Sequence, residues 1–177
     1  FQHPQHPFEM LSNGSEPTSS AYFRPALGGD MAAMRGIAKY LLQWEREAQA
    51  KGEPAVFDHA FIAEHTSGVD AYLAAVDATS WAHIVEQSGL TQAEIELAAR
   101  MYRKAERVIM CWAMGITQHR HSVPTVQEIV NLQLLRGNVG KPGAGLSPVR
   151  GHSNVQGDRT MGIDEKPKAG LLDALEK

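Results

Sequence analysis

The sequence predicts an open, helix-rich α/β fold with few parallel strands. Three observations carry this expectation. Apolar residues recur at helical spacing over much of the first two thirds of the chain. A compact apolar run, Arg107 to Met114 (RVIMCWAM), follows one such helix and stops at Gly115. Its length and continuous apolar character fit a buried parallel strand, which is apolar on both faces. A polar loop, GITQHRHS, and a helix over Val123 to Leu135 come next, so strand, loop and helix form one βα unit of an open sheet.

The elements follow in chain order. Residues 1–22 are rich in Pro, His, Gln and Ser and read as an extended connection. Phe23 to Asp30 (FRPALGGD) introduces a helix over Asp30 to Gln49, in which Met31, Met34, Ile37, Ala38, Leu41 and Leu42 share one face; Gly52 and Pro54 end it. Asp58 caps a short helix to His65. Asp70 to Val76 is another, and Ser80 caps a third over Trp81 to Gln87. Thr91 and Glu94 have capping-box spacing before Ile95, Leu97, Ala98 and Met101, which sets a helix over Gln92 to Lys104.

Size and composition bound the function. The 177 residues fit one domain, and 43% hydrophobic with 21% charged residues can build a sizeable core. A net charge of −3 gives no general attraction to nucleic acid or to an anionic membrane. No apolar run approaches the ~20 residues of a membrane span, and no signal-peptide pattern is seen, so a cytoplasmic location is expected. The lone Cys111 excludes an internal disulfide; in the middle of an apolar run it reads as a core thiol. The chain begins at Phe1 and stops at Lys177 inside a helical pattern, GLLDALEK, so both ends read as cuts through a longer protein.

Three constellations carry chemistry. Ligands of open α/β sheets sit beyond the C-terminal ends of the strands, which here is Gly115 to His121. Gly115 allows close approach, Gln118 offers a donor and an acceptor, and His119 and His121 flank Arg120. An HxH pair alone supplies too few ligands for a zinc site, so these histidines are contacts to a polar cofactor, solvated loop residues or, joined in space by a distant residue such as His152, part of a metal site. The second constellation is Leu27 to Asp30 (LGGD), either an anion-favouring helix start or a plain cap by Asp30. The third is the glycine-dense stretch from Gly137 to Gly157, GNVGKPGAGLSPVRGHSNVQG. Some of its glycines can be turns, and Gly137 and Asn138 fit a left-handed helix end. Yet Asn138, Arg150, His152, Asn154 and Gln156 stand among glycines whose exposed N–H groups can wrap an anion or polar cofactor. No Walker A spacing is present.

The runs CWAMGITQH, NLQLLRGNVGKPGAG and SPVRGHSNVQGDRTMG closely resemble molybdopterin oxidoreductases with a bis-molybdopterin guanine dinucleotide (MGD) cofactor, nearest to formate-dehydrogenase-like alpha subunits. Order, spacing and spelling agree. The likeness extends more loosely upstream, over about Tyr22 to Gly162. His152 stands where the family's motif has glutamine, which marks a subgroup and leaves formate itself open as the substrate.

The resemblance implies the following. The fold is the second half of a Rossmann-like dinucleotide-binding domain over 23–149, followed over 150–177 by a truncated crossover into the next domain. The cofactor is molybdenum bis-MGD; the protein ligand to the metal, and any iron–sulfur cluster, lie outside this chain, which itself holds no metal ligand. Arg150 and His152 are the catalytic positions. A fixed guanidinium at Arg150 suits an anionic substrate or developing charge. Gly29, Asp30, Met114, Gly115, Gln118, His119, Gly151 and His152 border the cofactor. The partners are a small-molecule substrate, the remainder of the parent chain and an electron-transfer subunit. Two other readings stay open: a non-redox nucleotide- or phosphate-binding module, and a scaffold that has lost the cofactor.

Overall fold

A computed structural model describes residues 19–152, 154–163, 166 and 168–176. The extended connection expected over 1–22 lies, for residues 1–18, outside the described residues. Helix α1 (Asp30–Lys51) ends at Gly52, whose positive φ of 68° lets its N–H reach back to the carbonyls of Ala48 and Gln49. Helix α2 (His59–His65) starts where the Asp58 carboxylate accepts the Phe61 N–H at 3.0 Å. Helix α3 (Val69–Ala78) starts one residue before and ends two residues after the expected Asp70 to Val76. Ser80 caps α4 (Trp81–Ser88) through the His83 N–H. In α5 (Gln92–Lys104) both halves of the capping box form: Glu94 N–H to Thr91 Oγ1 at 3.2 Å, and Thr91 N–H to Glu94 Oε2 at 2.8 Å. These starts were legible because each needs only residues three apart.

Strand β1 (Ile109–Trp112) leads into a one-turn helix α6 (Met114–Thr117) and then α7 (Ser122–Leu135). Gly137, at φ 59°, ends α7 in the left-handed conformation expected for it. Strand β2 (Gly145–Pro148) pairs with β1 in parallel, from Ile109 opposite Gly145 to Trp112 opposite Pro148. Helices α8 (Val155–Thr160) and α9 (Ala169–Leu175) follow. The described chain is therefore an α/β structure, helix-rich, with a parallel pair joined through α7.

The core is centred on α1, which packs against α3, α4, α5 and α7. Ala38 and Leu41 of α1, Val76 of α3, Ile84 of α4, Ala99 of α5 and Leu132 of α7 are fully buried. Burying a side chain the size of Leu41 stabilises by about 1.5–3 kcal/mol. Every described residue from Pro148 onward is exposed, so this last stretch adds nothing to that core.

Three expectations are corrected. First, the strand is four residues long, not eight, and is not buried on both faces. Met110 packs against the core, whereas Ile109 is 57% exposed and faces away from it. Cys111 shares that outer face and is exposed, so it is not a core thiol. Successive strand residues face opposite sides, and among the described residues nothing covers the outer side. Second, the loop expected after the strand begins with the turn of α6. Third, the glycine-dense stretch is not wholly loop, since β2 lies inside it. Its Gly, Ser and Pro content carries no strand signal; pairing with β1 decides the conformation.

Asn138, grouped with the polar residues of that stretch, belongs to the core. It is 1% exposed, and its Oδ1 accepts the Val108 N–H at 3.4 Å. Beside it, fully buried Gln133 donates from Nε2 to the carbonyls of Val108 (2.9 Å) and Gly145 (2.8 Å). The Tyr102 hydroxyl lies 2.8 Å from Gln133 Oε1 and 2.9 Å from the Leu132 carbonyl. Burial pushes that hydroxyl up to about 12, which keeps it a donor. One α7 side chain thus ties together the entry points of both strands.

A second buried group fixes the turn before α2. Glu45 of α1 is 3% exposed; its Oε2 accepts the N–H groups of Val56 (2.6 Å) and Phe57 (3.0 Å), and its Oε1 faces His59 Nε2 at 2.8 Å. Burial pushes this carboxyl up, but the hydrogen bonds from Phe57, His59, Val56 and Gln49 outweigh it and hold the group below the ordinary carboxylate value. A depressed folded-state value contributes stability above the unfolded value, and that contribution disappears as pH falls through the folded one. Glu45→Gln is therefore expected to flatten the acid side of a urea-midpoint-versus-pH curve. An unchanged acid limb would show that Glu45 is not the linked group.

Candidate functional site: the cleft beyond the strand ends

The C-terminal ends of β1 and β2 open into a cleft of about 630 Å³. Trp112 and Pro148, the last residues of the two strands, form its floor. One wall is α6, with Met114 and Thr117. The opposite wall is the turn after β2, with Arg150, Gly151 and His152, continued by one face of α8. The strands end here because Val149 N–H makes a 2.7 Å bond to the Trp112 carbonyl and the chain then leaves the sheet.

The cleft is cationic although the chain carries a net charge of −3. Two arginines, Arg150 and Arg159, line it, and no Asp or Glu is among its described lining residues. The exposed Arg150 guanidinium makes no hydrogen bond or ion pair with any other described residue. An unpaired planar fork of donors in a cleft without carboxylates favours an anionic ligand.

The structure brings together five of the residues singled out in the sequence: Met114, Arg150, Gly151, His152 and Gln156. Gly151 shows why no side chain stands at its position, since a Cβ there would lie 2.8 Å from Met114 Sδ. The others sit apart from this cleft. Gly115 is exposed, with open space where a Cβ would be. Gln118 ends α6, its N–H bonded to the Met114 carbonyl at 2.9 Å. His119 accepts the His121 N–H on Nδ1 at 3.3 Å, while its Nε2 is shut from solvent with no partner among the described residues.

Gly29 and Asp30 stand at the other end of the helical layer. Gly29, not Asp30, occupies the N-cap position of α1, and Asp30 is the first helical residue. A Cβ on Gly29 would lie 2.6 Å from the Gln87 carbonyl oxygen, so this glycine lets α1 start against the end of α4. Next to it is a second cleft of about 260 Å³, lined by Gly28, Met31, Arg35, His83, Gln87 and His121 among others. The 113–121 connection borders both clefts, through Thr117 on one side and His121 on the other. Among the described residues no three His, Cys, Asp or Glu side chains group closely enough to hold a metal ion.

Val155, Arg159 and Thr160 were missed; with Gln156 they complete the α8 wall of the cleft. Their spacing of one, four and five residues puts them on one face of α8, facing the cleft. That spacing is readable in the sequence, but a glycine inside the turn, at 157, weakens the helical signal.

No protein-family model matches the chain. Protein YdeP of Escherichia coli K12 is 49% identical over 175 residues, which cover 99% of this chain and 23% of that protein. An uncharacterized oxidoreductase of Mycobacterium tuberculosis H37Rv is 41% identical over 177 residues, the whole of this chain and 22% of its own length. Formate dehydrogenase H of Escherichia coli K12 is 41% identical over 110 residues, 62% of this chain and 15% of that enzyme. The chain is thus similar to oxidoreductases, formate-dehydrogenase-like proteins among them, and spans under a quarter of the length of these relatives. No helix among the described residues is long and apolar enough to cross a membrane.

Proposed function

We propose that this chain is the part of a molybdopterin oxidoreductase that cradles bis-molybdopterin guanine dinucleotide, with the pterin end in the strand-end cleft and Arg150 beside the reacting centre. One observation carries the reading: an unpaired arginine faces a cleft beyond parallel strand ends whose described lining contains no carboxylate. The similarity to proteins named oxidoreductase and formate dehydrogenase supports it. In this reading residues 23–149 are the second half of a Rossmann-like domain, residues 150–177 pass into the next one, and the intact protein is cytoplasmic.

The residues present fit a large, polar, partly anionic group. Arg150 offers an unpaired guanidinium at the cleft, and His119 has a buried ring nitrogen that lacks a partner among the described residues. Met114, Gly115, Gln118 and His119 would border the cofactor from the β1 side, Gly151 and His152 from the β2 side, and Gly29 and Asp30 at the far end of the helical layer. When bound, the cofactor supplies two-electron redox chemistry at molybdenum, tuned by its pterins.

The chain's own residues do the rest. Arg150 holds an anionic substrate and the charge that develops on it; a guanidinium suits this because it stays protonated and offers paired donors. His152, one residue beyond Gly151, adds a group able to donate or accept a proton at the same wall. Trp112 and Pro148 give the cleft an apolar floor. The substrate is a small anion, and formate is the first to test. A second reading, a phosphate- or nucleotide-binding module without redox chemistry, draws on the same cationic lining.

Molybdenum and pterin analysis of the full-length protein, purified without oxygen, separates the two. Stoichiometric molybdenum with released pterin is expected; their joint absence would leave the non-redox module. In the loaded protein Arg150→Ala is expected to keep its molybdenum and lose about a hundredfold in turnover, the order seen on removing one charge-stabilising donor. Full activity with normal metal content would remove Arg150 from the mechanism.

A further inference from the structure

We propose that Met114 is a positioning residue for Arg150, an inference that rests on the reading of the strand-end cleft given above. Arg150 lies just past the last tie between the strands, the 2.7 Å bond from Val149 N–H to the Trp112 carbonyl. Beyond it, no further backbone hydrogen bond holds residues 150–151 to the sheet among the described residues. The next support comes from the other strand. Met114, the residue that opens α6 after β1, lays its thioether sulfur 2.8 Å from where a Cβ of Gly151 would be. The sulfur therefore rests on the bare backbone of Gly151 and bridges the two strand ends across the cleft that Arg150 lines.

The chemistry of the pair suits this task. Thioether side chains are flexible and polarizable, and fill irregular gaps without demanding one shape. Glycine at 151 is what lets the contact form. Met114 is itself 45% exposed and lies outside the buried core, so its packing energy is spent at the cleft. The sulfur limits the sway of the 150–152 turn and so sets where the Arg150 guanidinium stands.

The test reads Arg150 directly and needs no substrate. Full-length protein is treated with phenylglyoxal, which modifies arginines, and the rate at Arg150 is followed by peptide mass spectrometry against the exposed Arg24 as an internal reference. Met114→Ala and Gly151→Ala are each expected to raise the Arg150 rate about threefold, and the double variant to match either single one, as for residues in contact. Met114→Leu keeps the bulk and is expected to keep the rate. Arg24 and the urea midpoint are expected to stay unchanged in all four variants. An unaltered Arg150 rate in Met114→Ala, multiplicative effects in the double variant, or an equal rise at Arg24 would each overturn the proposal. The cofactor reading stands or falls on metal content, which this rate cycle does not use, so the two can fail separately.

Discussion

Gln133→Leu is expected to destabilise the chain by about 2–4 kcal/mol, because it removes three buried hydrogen bonds. Gln133 is fully buried, and its amide donates to carbonyls of two segments that do not touch in sequence, Val108 before β1 and Gly145 at the start of β2. Its carbonyl oxygen faces the Tyr102 hydroxyl at 2.8 Å. Leucine fills much the same volume, so the loss measures hydrogen bonding and not a cavity. Val108 and Tyr102 keep other partners, since the Val108 carbonyl also accepts the Gly145 N–H at 3.0 Å and Tyr102 faces the Leu132 carbonyl. Urea unfolding followed by tryptophan fluorescence gives the size of the effect. Amide exchange gives its place: Met110 and Leu146, a facing pair in the ladder, should lose protection before the helical core does. A loss under about 1 kcal/mol, the net worth of one ordinary hydrogen bond, would show that the clasp is not what joins the strands.

Glu128→Leu is expected to cost about 3 kcal/mol, and Arg35→Met in the same chain to recover at least half of it. Arg35 of α1 pairs with Glu128 of α7 through two bonds of 2.7 Å, from Nε and from Nη2. The carboxylate is 4% exposed and the guanidinium 22%. Tyr72 of α3 adds a 2.8 Å bond to the same carboxylate, and its ring lies under the Arg35 guanidinium at 5.5 Å. Burial and then the Glu128 carboxylate push the Tyr72 hydroxyl up, so it remains a donor. Removing one partner of such a pair strands a charge in a poorly solvated place, which costs more than the pair itself contributes. Replacing both by apolar residues removes that penalty, and this is why the double variant recovers. Urea midpoints of the two single variants and the double variant decide the matter; strictly additive losses would show that the two side chains are not energetically coupled.

Both devices act on the same object, the placement of α7 against α1 and the strands. Helix α7 follows β1, and β2 follows α7, so the distance between the two walls of the strand-end cleft depends on how α7 is held. Arg150 and Met114 do not touch Gln133 or Glu128, but they inherit their separation from them. The helical layer is thus the frame and the cleft is its product.

How much of this was readable in advance follows from the range of each interaction. The Thr91–Glu94 box, the Ser80 and Asp58 caps and the Gly52 and Gly137 stops each involve residues only a few places apart, and all of them stand where the sequence put them. The same holds for Arg150, Gly151 and His152, which line one wall of the cleft because they are neighbours in the chain. The spelling also pointed to oxidoreductases, and the relatives found are proteins so named.

Sequence alone therefore determined the helices from α1 to α5 and α7, the presence of the first strand and the stretch that carries Arg150. Tertiary structure decided the rest. A second strand arose from Gly-Leu-Ser-Pro because β1 offered it a ladder, and Cys111 turned outward because one face of that short ladder packs on the core and the other does not. Asn138 moved from a cofactor cradle to the core, and Gln133 and Glu45 became buried anchors, through partners 11 to 36 residues away. Local pattern is set by backbone geometry over one or two turns, which any sequence displays. Pairing at longer range is chosen by which buried polar groups can satisfy one another, and that choice is made only when the whole chain has closed around them.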